Sequence, residues 1–201
     1  MGFDLYSFDY LKDGSARQVR AYESLRELNI FSRIAKFYSD NPESGPGFGE
    51  APALAGSVPI DLALDDSDLD IITFASDLKT FGAFLKTEFG QLEGFQSSRG
   101  IVLGVATLIT KVHFHGEAYE IFTQNVPVPM QNAVVHLMVE ERLLKLGGEK
   151  FRARVWDERE NGAKTEPAFG VVLGLEDPYR ELLALEDLSD SELRVRFAGK
   201  L

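Results

Sequence analysis

The sequence predicts an α+β fold, with a small sheet flanked by helices in its front half and a helical back half. Two observations carry this. Strand-like and helix-like apolar patterns are mixed up to residue 127, whereas from residue 128 to 201 the spacing is helical. The chain also has ample core material, 44% hydrophobic residues with 15 Phe among 201, which excludes intrinsic disorder. The expected organisation is an α/β core with an N-terminal helix over 1–127 and a helical region over 128–201 packed on it.

Each element has a local reason. Ser15-Ala16-Arg17-Gln18 has capping-box spacing and opens a helix to about residue 28. Leu25, Leu28, Ile30 and Phe31 lead on into a short apolar segment, RIAKFY. The stretch SDNPESGPGFGEAP (39–52), rich in Pro, Gly and Ser, reads as a surface loop. Its GPGFG lacks the spacing of a dinucleotide fingerprint and follows no strand. Ala53 to Ala55 is a strand end turned by Gly56-Ser57. Asp68 to Phe74 reads as a strand, and Asp77 to Phe89 as a helix with Leu78, Phe81, Leu85 and Phe89 on one face. The β-branched run IVLGVATLIT (101–110) reads as a strand running toward a hairpin. A long helix is expected over Val128 to Leu146, then helices at about 149–160, 166–175 and 178–187. No internal repeat is present.

Composition narrows the function classes. With 32 acidic and 21 basic side chains the net charge is −11, which argues against a general nucleic-acid binder, whose affinity comes from neutralising phosphates. There is no cysteine, so disulfides and thiolate metal sites are excluded and a reducing cytoplasm is the expected location. MGFDLYSFDYLKDG has no basic start or long apolar run, so no signal peptide is expected. No run reaches the ~18 apolar residues of a membrane span.

The chemistry concentrates in AGSVPIDLALDDSDLDIITF (55–74). On a strand, residues i and i+2 project from one face about 6.5–7 Å apart, so Asp68 and Asp70 point together while Leu69 and Ile71 enter the core. Two such carboxylates can grip one or two divalent cations. The plainer alternative is alternation on a half-exposed strand, which needs no metal. A calcium loop fails, because Ile71 stands where glycine is required and Asp77 where a bidentate Glu is required. Ahead of the acids, Gly56 lets the backbone approach a ligand closely, and turn N–H groups with the Ser57 hydroxyl can hold phosphate oxygens.

Gly56-Ser57, ten residues, then Asp68-Leu69-Asp70-Ile71 resembles the signature of the nucleotidyltransferase-fold superfamily, and Ser67 matches its frequent Ser-Asp-x-Asp form. The longer pattern GSVPI…SDLDI, with YEIF, QNAVVHL and KTEPAF downstream, is similar to a bacterial family of unknown function within that superfamily, over most of the chain. The resemblance implies a small mixed sheet, Mg²⁺ or Mn²⁺ as cofactor, ATP or another NTP as donor, and a third carboxylate on a neighbouring strand.

The sequence supplies one in TKVHFHGEAYEIFTQ. With Gly116-Glu117 as a two-residue type II′ turn, His115 pairs with Ala118 and His113 with Glu120. Val112, Phe114, Tyr119 and Ile121 then share the apolar face, and Glu120 lies on the polar one as the candidate third acid. Its alternative is an ordinary cross-strand pair with His113. Glu117 is expected in the turn, solvated. His113 and His115 alternate as a possible metal pair, but no third soft ligand is nearby, and His113 is at most a nucleotide contact.

In QNAVVHLMVEERLLKL, Asn132, His136 and Glu140 form an i, i+4, i+8 polar stripe. It either faces a cleft, with His136 contacting a substrate, or is a hydrogen-bonded structural strip. Lys164 stands before a helix whose Thr165 and Glu166 read as cap and first turn, a location that could aim it at a phosphate. Arg17, Lys12 and Arg20 are weaker basic candidates. Val58-Pro59 follows Gly-Ser where transferases of this superfamily often carry a basic residue, which counts against tight triphosphate binding.

The leading expectation is Mg²⁺-dependent nucleotidyl transfer from an NTP to an acceptor hydroxyl. Asp68, Asp70 and Glu120 are the catalytic and metal-binding set; Gly56, Ser57, Ser67, Lys164 and His136 bind the nucleotide. A small molecule, a tRNA end or a protein side chain all fit as acceptor; the charge disfavours nucleic acid, and no membrane is involved. The alternatives are a non-catalytic nucleotide- or partner-binding relative and an interaction protein whose acids are only a solvated face.

Overall fold

The structure, a computed structural model, describes residues 4–43 and 51–201. GPGFG lies outside the described residues, as does half of the stretch read as a loop over 39–52. A 3-10 turn at Asp9–Asp13 leads to α1 (Ala16–Leu28), whose Ser15–Gln18 capping box is formed in both directions. Asn29, in the left-handed conformation (φ 55°), separates α1 from α2 (Ile30–Asp40). The short RIAKFY segment is thus the middle of a full helix that extends into the expected loop. Its Ile30, Ile34, Phe37 and Tyr38 are buried at helical spacing.

Among the described residues, five strands form one mixed sheet. They are β1 (Ala53–Ala55), β2 (Leu69–Phe74), β3 (Glu93–Val102), β4 (Val105–Phe114) and β5 (Glu117–Gln124), ordered β1-β2-β5-β4-β3. Among the described strands, only β2 and β5 pair in parallel, so the chain between them must cross over; α3 (Leu78–Phe89), capped by Asp77, and the β3–β4 hairpin fill that crossover. The single strand expected at 101–110 is broken at Leu103-Gly104, both at positive φ (50° and 84°), which turns β3 into β4. β3 was not legible because it is exposed along nearly its whole length and so has no apolar alternation to read.

The β4–β5 turn is His115-Gly116 (φ 50° and 82°), one residue earlier than the spacing suggested. Positive φ at both positions is the type I′ pattern, which matches strand twist. The register therefore pairs Lys111 with Glu120, and His113 with Ala118. His115 sits in the turn and does not share a face with His113.

The helical half begins with a 3-10 turn at Val128–Met130 and continues as α4 (Asn132–Glu160), α5 (Thr165–Leu173), α6 (Pro178–Leu183) and α7 (Asp190–Arg196). The helices expected at 128–146 and 149–160 are the two arms of α4, joined at Gly148 (φ 63°, ψ −163°). The N-cap of α5 is Lys164, not Thr165. The short α7, with its own Ser189–Glu192 capping box, was not anticipated. No described helix is long and apolar enough to cross a membrane.

The sheet is covered on both faces. Leu69, Ile71, Tyr119 and Ile121 pack against α1, α2 and α3, and the Tyr119 hydroxyl shares a 2.5 Å hydrogen bond with Ser24 in that core. Ala53, Ala55 and Ile72 pack with Val134, Leu137, Phe151 and Phe169 of the helical half. Asp70 and Glu120 project toward this second side, because each neighbours a residue of the first.

Candidate functional site

The close approach of three backbones builds the site. β1 ends with Ala55 opposite Asp70, and Asp70 stands opposite Glu120 across the parallel β2–β5 pair. Neighbouring strands lie about 4.8 Å apart, which brings the two acids to adjacent positions of one face. Gly56 turns the chain at φ 73°, and a Cβ there would collide with Asp70 Oδ2, so any other residue would be strained and would displace the Asp70 carboxylate. Asp68 lies just before β2. The turn delivering it is closed by Ser67, whose Oγ accepts from Leu64 N–H (2.9 Å) and whose carbonyl accepts from Arg17 Nη2 (2.7 Å).

Negative charge is crowded here. Burial, then Asp68 and Glu120, push the Asp70 carboxyl up to about 8, with Lys111 acting against them. Lys111 Nζ is 2.8 Å from Glu120 Oε2, and the pair holds the Lys111 ammonium above its ordinary range. Among the described residues, no three His, Asp or Glu side chains are gathered tightly enough to hold an ion as they stand.

A cavity of about 780 Å³ opens between this face of the sheet and the start of α4 and α5. Gly56, Ser57, Ser67, Asp68, Asp70, Glu120, His136 and Lys164, the eight residues singled out by the sequence, all line it. The Asn132–His136–Glu140 stripe faces it too. His136 is nevertheless well occupied: Nε2 donates to the Tyr179 carbonyl (2.8 Å) and Nδ1 lies 3.4 Å from Glu166 Oε1. Burial works to raise Glu166, yet the contact with His136 holds its carboxyl below the ordinary range. Glu140, 2% exposed, is driven well above the usual carboxylate range by burial and by Glu166.

Other expectations change. Glu117 is not freely solvated; it is largely covered (side chain 11% exposed) against Arg17 (2.8 Å) and approached by Arg20 (3.8 Å), so Arg17 serves the fold rather than a phosphate. His113 does not line the cavity, and His115 Nδ1 is 3.1 Å from Glu27. Lys111 and Arg159 line the cavity and were missed. Placing the type I′ turn correctly would have found Lys111. Arg159, which donates to the Leu62 carbonyl (3.1 Å) from the far end of α4, carries no local signal.

A family model described as "Domain of unknown function (DUF4269)" matches residues 47–185. No curated protein matches the sequence. Among solved structures, the Cid1 poly(U) polymerase with Mg 3′-dATP bound matches with TM-score 0.50 at 13% identity, over 84% of this chain and 48% of that one. A Cid1 structure described by its RNA terminal uridylyl transferase activity gives TM-score 0.46 at 16% identity, over 71% of this chain and 40% of that one. A cytoplasmic RNA terminal U-transferase gives 0.45 at 17%, over 71% and 38%. The chain spans less than half the length of each. At such identity the likeness is one of fold: α+β, of the nucleotidyltransferase kind.

Proposed function

The chain belongs to the DUF4269 family of domains of unknown function, and we propose that its cavity transfers a nucleoside monophosphate from an NTP to an acceptor hydroxyl with Mg²⁺ or Mn²⁺. The observation that carries this reading is the register of Asp70 with Glu120, with Asp68 two residues before Asp70 and the glycine backbone against Asp70. Solvation alone does not call for acids crowded until one is pushed up to about 8.

Asp68, Asp70 and Glu120 would hold the metal. An all-carboxylate donor set suits a hard divalent cation, and the surplus charge around Asp70 is what such a cation relieves. When bound, it neutralises the phosphates and lowers the pKa of the attacking hydroxyl. The chain's own residues do the rest. Gly56 and Ser57 seat phosphate oxygens; Lys164, at the N-cap of α5, adds positive charge. Glu120, once released from Lys111, receives the acceptor hydroxyl's proton as its oxygen bonds to the α-phosphorus and pyrophosphate leaves. An overall charge of −11 favours a small acceptor over a nucleic-acid end.

A non-catalytic binding relative is the second reading, favoured by Lys111 on Glu120 and by Val58, fully buried, in place of a basic residue after Ser57. Pyrophosphate release across a panel of NTPs and acceptors separates the two. Release with Mg²⁺ or Mn²⁺ that is lost in Asp70→Asn is expected; nucleotide binding without release leaves the second reading.

A further inference from the structure

The α4–α5 wall of the cavity offers hydrogen-bond acceptors without donors to meet them. Gln131 is 1% exposed, and its Nε2 donates to the carbonyls of Thr73 (2.9 Å) and Val126 (3.0 Å). Those two bonds fix which end of the amide is oxygen, and that Oε1 has no partner. Glu140, nine residues further along, is 2% exposed, and its Oε1 also has none. Both residues line the cavity. A buried oxygen left unpaired costs about 1–3 kcal/mol, so two on one wall point to a ligand that brings hydrogens.

Charge points the same way. Asp66, Asp68, Asp70, Glu120, Glu140 and Glu166 line the cavity against Lys111, Lys164 and Arg159. Of these cations, Lys111 is tied to Glu120, and Arg159 donates to the carbonyls of Leu62 and Ala163. Metal and triphosphate would balance each other's charge at the Asp68–Asp70–Glu120 end, which leaves the Glu166 carboxylate to attract a basic nitrogen of the acceptor's own, and Glu140, protonated while the site is empty, to give its proton to that nitrogen and pair with it.

We propose that this wall is an acceptor subsite for a small hydroxylated molecule carrying a basic nitrogen, with Glu140 and Glu166 supplying the charge and Gln131 Oε1 taking an N–H. Its role as acceptor subsite rests on the transferase reading; recognition of the amine does not.

The test is calorimetric titration of the full chain with matched pairs, glucosamine against glucose and putrescine against 1,4-butanediol, with and without Mg-ATP. Each amine is expected to bind at least about tenfold tighter than its neutral twin, the increment of one charge interaction of ~1.4 kcal/mol. Glu140→Gln should erase that preference while Mg-ATP affinity stays within about twofold. Glu166→Gln, at a more accessible position, gives a second variant and should weaken the preference. Amines binding no tighter than their twins, a preference that survives both variants, or variants that change Mg-ATP affinity instead would each overturn the proposal. If the amine preference stands and no pyrophosphate is released, the transfer reading alone falls.

Discussion

Asp70 and Glu120 stand side by side in register across the parallel pair β2–β5, although fifty residues separate them in the chain. Among the described residues, Lys111 is the cation that relieves their mutual repulsion. Mg²⁺ or Mn²⁺ should therefore stabilise the protein. At a metal concentration 100-fold above Kd the gain is about 2.7 kcal/mol, a Tm rise of roughly 5–10 °C for a chain of this size. Glu120→Gln and Asp70→Asn should each lose most of that rise in a thermal melt. An equal rise in all three proteins would remove the metal assignment.

Lys111→Met tests the cation already present. The pair is partly exposed, so metal-free stability should change by less than about 1 kcal/mol. Glu120 is freed and a repelling charge removed, so Mn²⁺ affinity should rise roughly three- to tenfold in a metal titration.

Gly56→Ala combines positive φ with a collision against Asp70 Oδ2. Urea unfolding should show a loss of about 2 kcal/mol or more, with metal binding weakened as Asp70 is pushed aside. Ser57→Ala, which meets neither constraint, should leave stability within about 1 kcal/mol.

Arg17→Met separates fold from site. Arg17 is 7% exposed, pairs with the largely covered Glu117 and holds the carbonyls of Leu64 and Ser67. Removing it leaves the Glu117 carboxylate only the long contact to Arg20 and frees two carbonyls, which should cost about 2–3 kcal/mol in urea unfolding. A stable variant that fails only in nucleotide binding would return Arg17 to the list of phosphate ligands.

Glu140 sets a pH dependence. Its folded pKa is raised, so the folded chain keeps a proton that the unfolded chain releases. Its contribution is therefore most favourable below the ordinary Glu value of about 4.3 and is lost as pH rises toward the folded pKa. Glu140→Gln should match the parent protein near pH 4 and be increasingly the more stable of the two at pH 6–8, as read from unfolding midpoints across pH.

Periodicity and capping chemistry are local, and so α1, α3 and the α4 stripe were legible, as were β1 and β2 beside Gly56-Ser57. The β4–β5 turn was misplaced by one residue because Gly116 draws attention while His115 adopts positive φ without looking like a turn residue. That single shift exchanged His113 for Lys111 as the partner of Glu120. β3 stayed hidden because a strand exposed along nearly its whole length has no buried face to impose alternation.

The sequence by itself determined the α+β class and singled out eight of the residues that line the cavity, since motif spacing and strand parity follow from short stretches of chain. Only the tertiary structure decided what surrounds them. Pairing Asp70 with Glu120 needed a parallel crossover, covering Glu117 needed α1 to dock, and leaving Gln131 and Glu140 with unpaired oxygens needed α4 to close over the sheet. Hydrogen bonding and charge between distant elements exist only once those elements have packed, which is why the acids were readable from the chain and their balance was not.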